Sequence, residues 1–239
     1  MNTKSTVEQM RQMKLFGMAR HYETLLSLPT HEHPEPHAIV AMLTESELQY
    51  RSHKRTTRNL SRSKLRYNAL PEQIHCSADR GLSKEQLLML CDGSYIERGE
   101  NILITGATGC GKSFLACALG RQACLTDART LYYTMSRFIE ALSAARLDGT
   151  YAKWMDKVAK THLLIIDDFG LNPLDYNIRL TLLDILEDRY GKYPVIITSQ
   201  LPINKWYEYI AEPTLADAIM DRLTAHAHKI ALKGASKRR

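Results

Sequence analysis

The chain lacks the pairings and long apolar runs that would place it outside the reducing, aqueous compartments. Its five cysteines, Cys76, Cys91, Cys110, Cys117 and Cys124, include no C-x-x-C pair. That argues against a zinc ribbon, a redox dithiol or a disulfide framework, and reduced thiols are the expectation. No stretch is apolar for long enough to cross a bilayer. The opening MNTKSTVEQM carries no signal-peptide core. Internal repeats and low-complexity segments are missing as well. A soluble, cytoplasmic protein with no membrane partner is expected. At 239 residues, 44% of them hydrophobic, it has room for one α/β domain and a smaller appendage.

Acid is missing from one place. Between Arg51 and Arg66 stand seven Lys/Arg and no Asp or Glu. These seven exceed the net charge of the whole chain, +6, so the basicity is local and needs a local explanation. Five of them, Arg51, Lys54, Arg55, Arg58 and Arg62, recur at helical spacing and would share a face. Tyr50 and Leu60 are the only bulky apolar side chains from 50 to 62. The face is therefore expected to be free for nucleic acid, through phosphates and without base reading.

What the chain does have is centred on NILITGATGCGKSFLACAL, residues 101–119. An apolar strand, Ile102 to Ile104, runs into Gly106-Ala107-Thr108-Gly109-Cys110-Gly111-Lys112-Ser113, and an apolar-periodic helix follows. This is the G-x-x-x-x-G-K-[ST] phosphate loop in strand–loop–helix context. Its glycines let backbone N–H groups approach phosphate, and the helix N-terminus adds donors. Lys112 is expected to reach the β- and γ-phosphates of ATP and Ser113 to ligate Mg²⁺. At 162–170, HLLIIDDFG places Asp167 and Asp168 at the end of an apolar strand. Asp167 suits Mg²⁺, and Asp168 suits the attacking water.

The remaining pattern predicts helices over 1–28, 37–67, 82–90, 136–146, 151–160 (exposed), 179–190, 206–210 and 215–223. In 179–190, Leu180, Leu183, Ile185 and Leu186 are expected inward. Strands are predicted at 130–133, 194–200 and 228–232. A solvated loop at 29–36 carries His31 and His33, and a basic mobile tail covers 233–239. Alternating strands and helices imply an α/β fold with a mostly parallel sheet. The expected division is a helical N-terminal domain over 1–70, carrying the basic run, and an ATPase domain over 71–239.

With the phosphate loop, LLIIDDFG, VIITSQLP and LADAIMDRL in order, the chain from about Arg58 onward resembles IstB-type transposition helper ATPases. That family belongs to the AAA+ P-loop NTPases and is similar to DnaC-like helicase loaders. The resemblance implies an ATPase that assembles as a homo-oligomer on duplex DNA and cooperates with a separate transposase. It maps Gly106–Ser113 onto Walker A and Leu163–Asp168 onto Walker B. Asp168 stands where many AAA+ proteins have a longer Glu, which points to slow or assembly-dependent hydrolysis. Gln200 falls at the sensor-1 position, with Ser199 a neighbouring candidate. Arg222 matches an arginine finger acting on the adjoining subunit. A replicative helicase loader is the alternative within this fold. A small-molecule phosphotransferase is the alternative outside it, and the basic run argues against that one.

Overall fold

The computed structural model describes residues 3–234, so residues 235–239 of the basic tail lie outside it. The chain divides into two compact units, one ending at Arg58 and the other beginning at Asn59.

The first unit holds helices α1 (Thr3–Gln12), α2 (Phe16–Leu26) and most of α3 (Pro36–Ser63). The single helix expected over 1–28 is thus two. Lys14 adopts the left-handed conformation, with φ of 62°. Leu15 N–H bonds the Met10 carbonyl and Lys14 N–H that of Arg11, the crossed pair that closes a helix C-terminus. Similarly α3 stops at Ser63 rather than near Tyr67, and Lys64 has φ of 58°. Glycine usually fills such positions, so both stops are silent in the sequence. The N-terminus of α2 is capped from a distance. Glu47 of α3, 5% exposed, accepts from the Gly17 and Met18 amides at 2.7 and 3.2 Å and from Arg51 at 2.7 Å. Burial pushes the Glu47 carboxyl up, but the Arg51 and amide hydrogen bonds outweigh it and leave its pKa lowered. His31 and His33 are exposed, as expected.

The second unit takes in the last residues of α3, and its next α-helix is α4 (Lys84–Cys91), whose Ser83 cap accepts from the Gln86 amide. A one-turn helix α5 (Ser94–Glu97) leads on toward the first strand. Then come β1 (Asn101–Gly106), α6 (Lys112–Leu125), β2 (Thr130–Thr134), α7 (Met135–Leu147), α8 (Tyr151–Ala159) and β3 (Leu163–Phe169). The chain finishes with α9 (Tyr176–Arg189), β4 (Val195–Ser199), α10 (Trp206–Ile210), α11 (Pro213–Thr224) and β5 (Ala227–Leu232). Among the described residues the strands form one sheet in the order β2-β3-β4-β1-β5, every pair parallel.

Both faces of the sheet are covered, which is why its strands read as continuous apolar runs. Leu103, Leu164, Ile166 and Ile197 point to one layer, with Phe138, Trp154 and Trp206. Ile104, Leu163, Ile165 and Ile196 point to the other, with Leu115 and Leu119 of α6. Two expectations shift. Helix α8 is not simply exposed, since Trp154 and Val158 are buried. In α9 the fully inward residues are Ile178, Leu182, Ile185 and Leu186, while Leu180 and Leu183 are half-buried, because the buried stripe also runs through Thr181 and Arg189 at helical spacing. Gly120 lets α6 lie against β3. A Cβ there would come within 2.6 Å of Ile165 and 2.9 Å of Leu65.

Arg189 is 2% exposed and gathers four backbone carbonyls: Val158 and Thr161 at 2.9 and 2.8 Å, Pro194 at 2.9 Å and His162 at 3.3 Å. It thereby fixes the end of α8 and the entries to β3 and β4. Burial lowers its pKa to about 10. Arg189→Leu leaves those carbonyls without a donor, and we expect a stability loss of about 3–5 kcal/mol, read from the urea midpoint. A loss below about 1 kcal/mol would mean water replaces the guanidinium.

Candidate functional site

The carboxyl ends of β1, β3 and β4 converge, and the residues singled out in the sequence meet there. Gly111 caps α6 with φ of 101°, which a side chain would resist. This presents the loop amides and the α6 N-terminus to one space. Lys112 is 6% exposed. Its Nζ donates to the Gly106 and Ala107 carbonyls, 2.9 Å each, so the ammonium is held inside the loop.

Asp167 has the same parity along β3 as Leu163 and Ile165, so it faces the α6 layer. It is 0% exposed and surrounded by hydroxyl donors. Ser113 donates at 2.9 Å, Tyr132 at 2.5 Å, and Thr198 through a short bond. Burial, reinforced by the carboxylate, raises the Tyr132 pKa, so the phenol stays a donor. Asp168 leaves the strand register at an irregularity between β3 and β4. Its φ is 62°, and its amide donates to Thr198 Oγ1 at 3.1 Å. A left-handed non-glycine residue is uncommon and concentrates at functional sites. Its Oδ2 lies 3.6 Å from Arg66 Nη1. Burial opposes the Arg66 charge, but Tyr67, Tyr132 and Asp167 more than offset it and its pKa is raised.

Of the two sensor candidates, Ser199 is buried and spends its hydroxyl on the Phe169 carbonyl and the Leu201 amide. Gln200 instead touches the phosphate loop, its Oε1 accepting from Thr108 at 2.7 Å. Arg222 is elsewhere. Its carbonyl accepts from Asn101 at the start of β1, a strand length of roughly 17 Å from Gly106. Its guanidinium pairs with Glu187 at 2.7 Å and Asp221 at 3.1 Å. Of the basic run, Arg51 is bound to Glu47, and Lys54 lies over the Phe16 and Tyr50 rings at 5.6 and 5.9 Å. The face is therefore not wholly free, although Arg58 and Arg62 are exposed.

A cavity of about 370 Å³ adjoins the loop. Beyond Lys112, Ser113 and Gln200 it is walled by Tyr67, Ile74, His75, Leu82 and Leu232, none of which the sequence had marked. Tyr67 packs on Phe114 with ring centroids 6.2 Å apart. Arg80 ties the wall to the loop by donating to the His75 and Cys110 carbonyls at 2.6 and 2.7 Å. An apolar cleft beside a ring of amides and one ammonium suits a flat ring carrying anionic oxygens.

The IstB-like ATP binding protein family model matches residues 8–239. The chain belongs to this family. It is 42% identical over 234 residues to a Sinorhizobium fredii protein, y4pL, whose name describes an insertion sequence ATP-binding protein. The match covers 98% of this chain and 96% of the relative. Among solved structures, the DnaC helicase loader superposes with a TM-score of 0.57 at 20% identity, covering 70% of this chain and 98% of that one. AMPPCP-bound DnaA from Aquifex aeolicus superposes at 0.59 and 18% identity, covering 71% of this chain and 51% of that one. At such identities the likeness speaks for the fold, and the AAA+ P-loop fold expected from the sequence, with its helical N-terminal portion, is the fold found. No helix among the described residues is long and apolar enough to cross a membrane.

Proposed function

We propose that this chain is an ATP-hydrolysing, DNA-binding helper of insertion-sequence transposition, assembling on duplex DNA and working with a separate transposase. The observation that carries the reading is the joining of Lys112, Ser113, Asp167 and Asp168 at one mouth of the sheet, beside a cavity with an apolar wall. The loop amides and Lys112 hold the triphosphate, while Tyr67, Ile74, Leu82 and Leu232 receive the base. Ser113 and Asp167 offer a hydroxyl and a carboxylate oxygen, a hard donor set that suits Mg²⁺. No cluster of three His, Cys, Asp or Glu that could cage a metal occurs among the described residues. This fits an ion bound by few protein oxygens together with phosphate. When bound, Mg²⁺ neutralises charge on the phosphates. Asp168 polarises the attacking water, and Gln200 orients the loop through Thr108.

Arg222 acts in trans. Its place at the other end of β1 keeps it from its own chain's site, and its ion pairs are partly exposed, so they are weak enough to exchange. Arg222→Ala and Lys112→Ala are each expected to be inactive, but mixed they should recover hydrolysis, because one interface receives a good site from one and a good arginine from the other. A mixture no more active than its parts, with cross-linking showing that they associate, would remove the assignment.

The basic run supplies the DNA contact. Since Arg51 caps the N-terminal fold through Glu47, the informative substitutions are Arg58→Gln and Arg62→Gln together. If both touch phosphate, the log–log salt slope of duplex binding should become shallower by about 1.8 per subunit, equally on every sequence, with ATP affinity in the absence of DNA unchanged. An unchanged slope would move DNA to another surface and leave α3 as a protein-docking helix, as a helicase loader would require.

A further inference from the structure

Arg66 belongs to the basic run, yet its guanidinium reaches the water-activating acid. We propose that Arg66 is a positioning residue that restrains Asp168 and couples the C-terminal end of α3 to hydrolysis. The proposal rests on the ATPase and DNA readings above and adds to them a link between the two.

Three observations build that link. The first is the ion pair. Arg66 Nη1 is 3.6 Å from Asp168 Oδ2, and the Arg66 side chain is 41% exposed, so the contact can be broken at small cost. A carboxylate facing a guanidinium is a poorer acceptor for a water proton than one facing water. Breaking the pair therefore removes the Arg66 restraint on the group that does the chemistry.

The second is the conformation of the acid. Asp168 is held left-handed, with φ of 62°, and its amide is tied to Thr198. Its carboxylate is thereby carried out of the strand's regular alternation and offered to the segment after α3. That strain needs a surrounding structure to impose it.

The third is the path from α3. Asn59 on α3 donates to Asp127, just beyond the end of α6, at 3.2 Å. Lys64 ends α3 in the left-handed conformation. Leu65 lies where a Cβ on Gly120 of α6 would collide with it. Arg66 then stacks over Tyr67 at 5.3 Å, Tyr67 packs on Phe114 of α6, and Arg121 of α6 donates to Asn68 at 2.6 Å. Ala69 is fully buried. The connector is thus fastened to the helix that starts at the phosphate loop, and Arg62 is the penultimate residue of α3. Phosphate contact at Arg62 pulls on a short, anchored segment whose next charged side chain but one is Arg66.

The test is steady-state ATP turnover by wild type, Arg66→Gln and Arg66→Lys, with and without duplex DNA. Without DNA, Arg66→Gln should raise kcat about fivefold, the population change a partly exposed ion pair can hold. KM for ATP should stay within about twofold, and the stimulation by DNA should shrink by the same factor as the basal rate rises. Arg66→Lys keeps the charge and should fall between the two. The thermal midpoint of each variant, read without nucleotide, shows that the fold is intact, and since this side chain is half-exposed little change is expected. An unchanged or lower DNA-free kcat in folded Arg66→Gln overturns the proposal. So does a raised KM, which would make Arg66 a nucleotide contact instead. If wild type turns over ATP but ignores DNA, the DNA reading fails separately, and the DNA-free comparison still decides whether Arg66 restrains Asp168. If wild type does not turn over ATP even with DNA, the ATPase reading itself falls.

Discussion

Lys112→Ala should lower ATP affinity at least thirtyfold. Lys112 is the only side-chain cation within the phosphate loop, and its ammonium is already withdrawn from water and positioned. It is 6% exposed and bonded to the Gly106 and Ala107 carbonyls. Little reorganisation is needed when an anion arrives, because the donor has one proton left to give and needs only a small swing toward the loop amides. Losing a desolvated, charge-assisted contact costs about 2–5 kcal/mol. The substitution also strands two loop carbonyls, but Gly106 is only half-buried and Ala107 is exposed, so water can reach them. The fold should therefore survive, and the loss should appear in binding. Calorimetric titration with ATP measures it directly, and an affinity within twofold of wild type would show that the backbone cradle alone holds the triphosphate.

The sequence disclosed those parts of the site that are contiguous in the chain. The phosphate loop and the Asp167-Asp168 pair each lie in one short stretch whose flanking strand is itself a signal. The α/β class followed from the same alternation. What stayed hidden was assembled from separate segments or used a residue against its habit. Lys14 and Lys64 close helices in a left-handed conformation that glycine normally fills, so the first helix looked too long and the third overran. The overrun kept Arg66 in one helix with Arg62, whereas the chain turns at Lys64 and carries it to Asp168. Tyr67, His75 and Leu82 lie between the end of α3 and the start of α4, and only folding brings them to one cavity. One signal was available and went unread. Tyr132 and Thr198 bring hydroxyls to buried positions of two strands. A hydroxyl in a buried strand needs a partner, and both of these serve Asp167.

Asp168→Asn should abolish turnover while leaving ATP binding nearly intact. Asparagine has the size of aspartate and tolerates the left-handed backbone about as well, so φ of 62° can persist and the Asp168 amide can still bond Thr198. The substitution removes one thing, the carboxylate that takes the proton of the attacking water. General-base contributions are typically 10²- to 10⁴-fold, and a drop of at least about a hundredfold in kcat is expected. Asp167 keeps its three hydroxyl donors, so the Mg²⁺-holding oxygens stay in place and ATP affinity should remain within about threefold. Alanine would be a poorer test, because it adds backbone strain at a left-handed position to the loss of the carboxylate. The asparagine variant should also accumulate on DNA as an ATP-bound assembly, since binding proceeds and hydrolysis does not. Phosphate release and calorimetry on one preparation separate the two effects. Near-normal phosphate release would take Asp168 out of the chemistry. It would also leave its ion pair with Arg66 without a catalytic consequence, so this one variant tests the foundation of both readings.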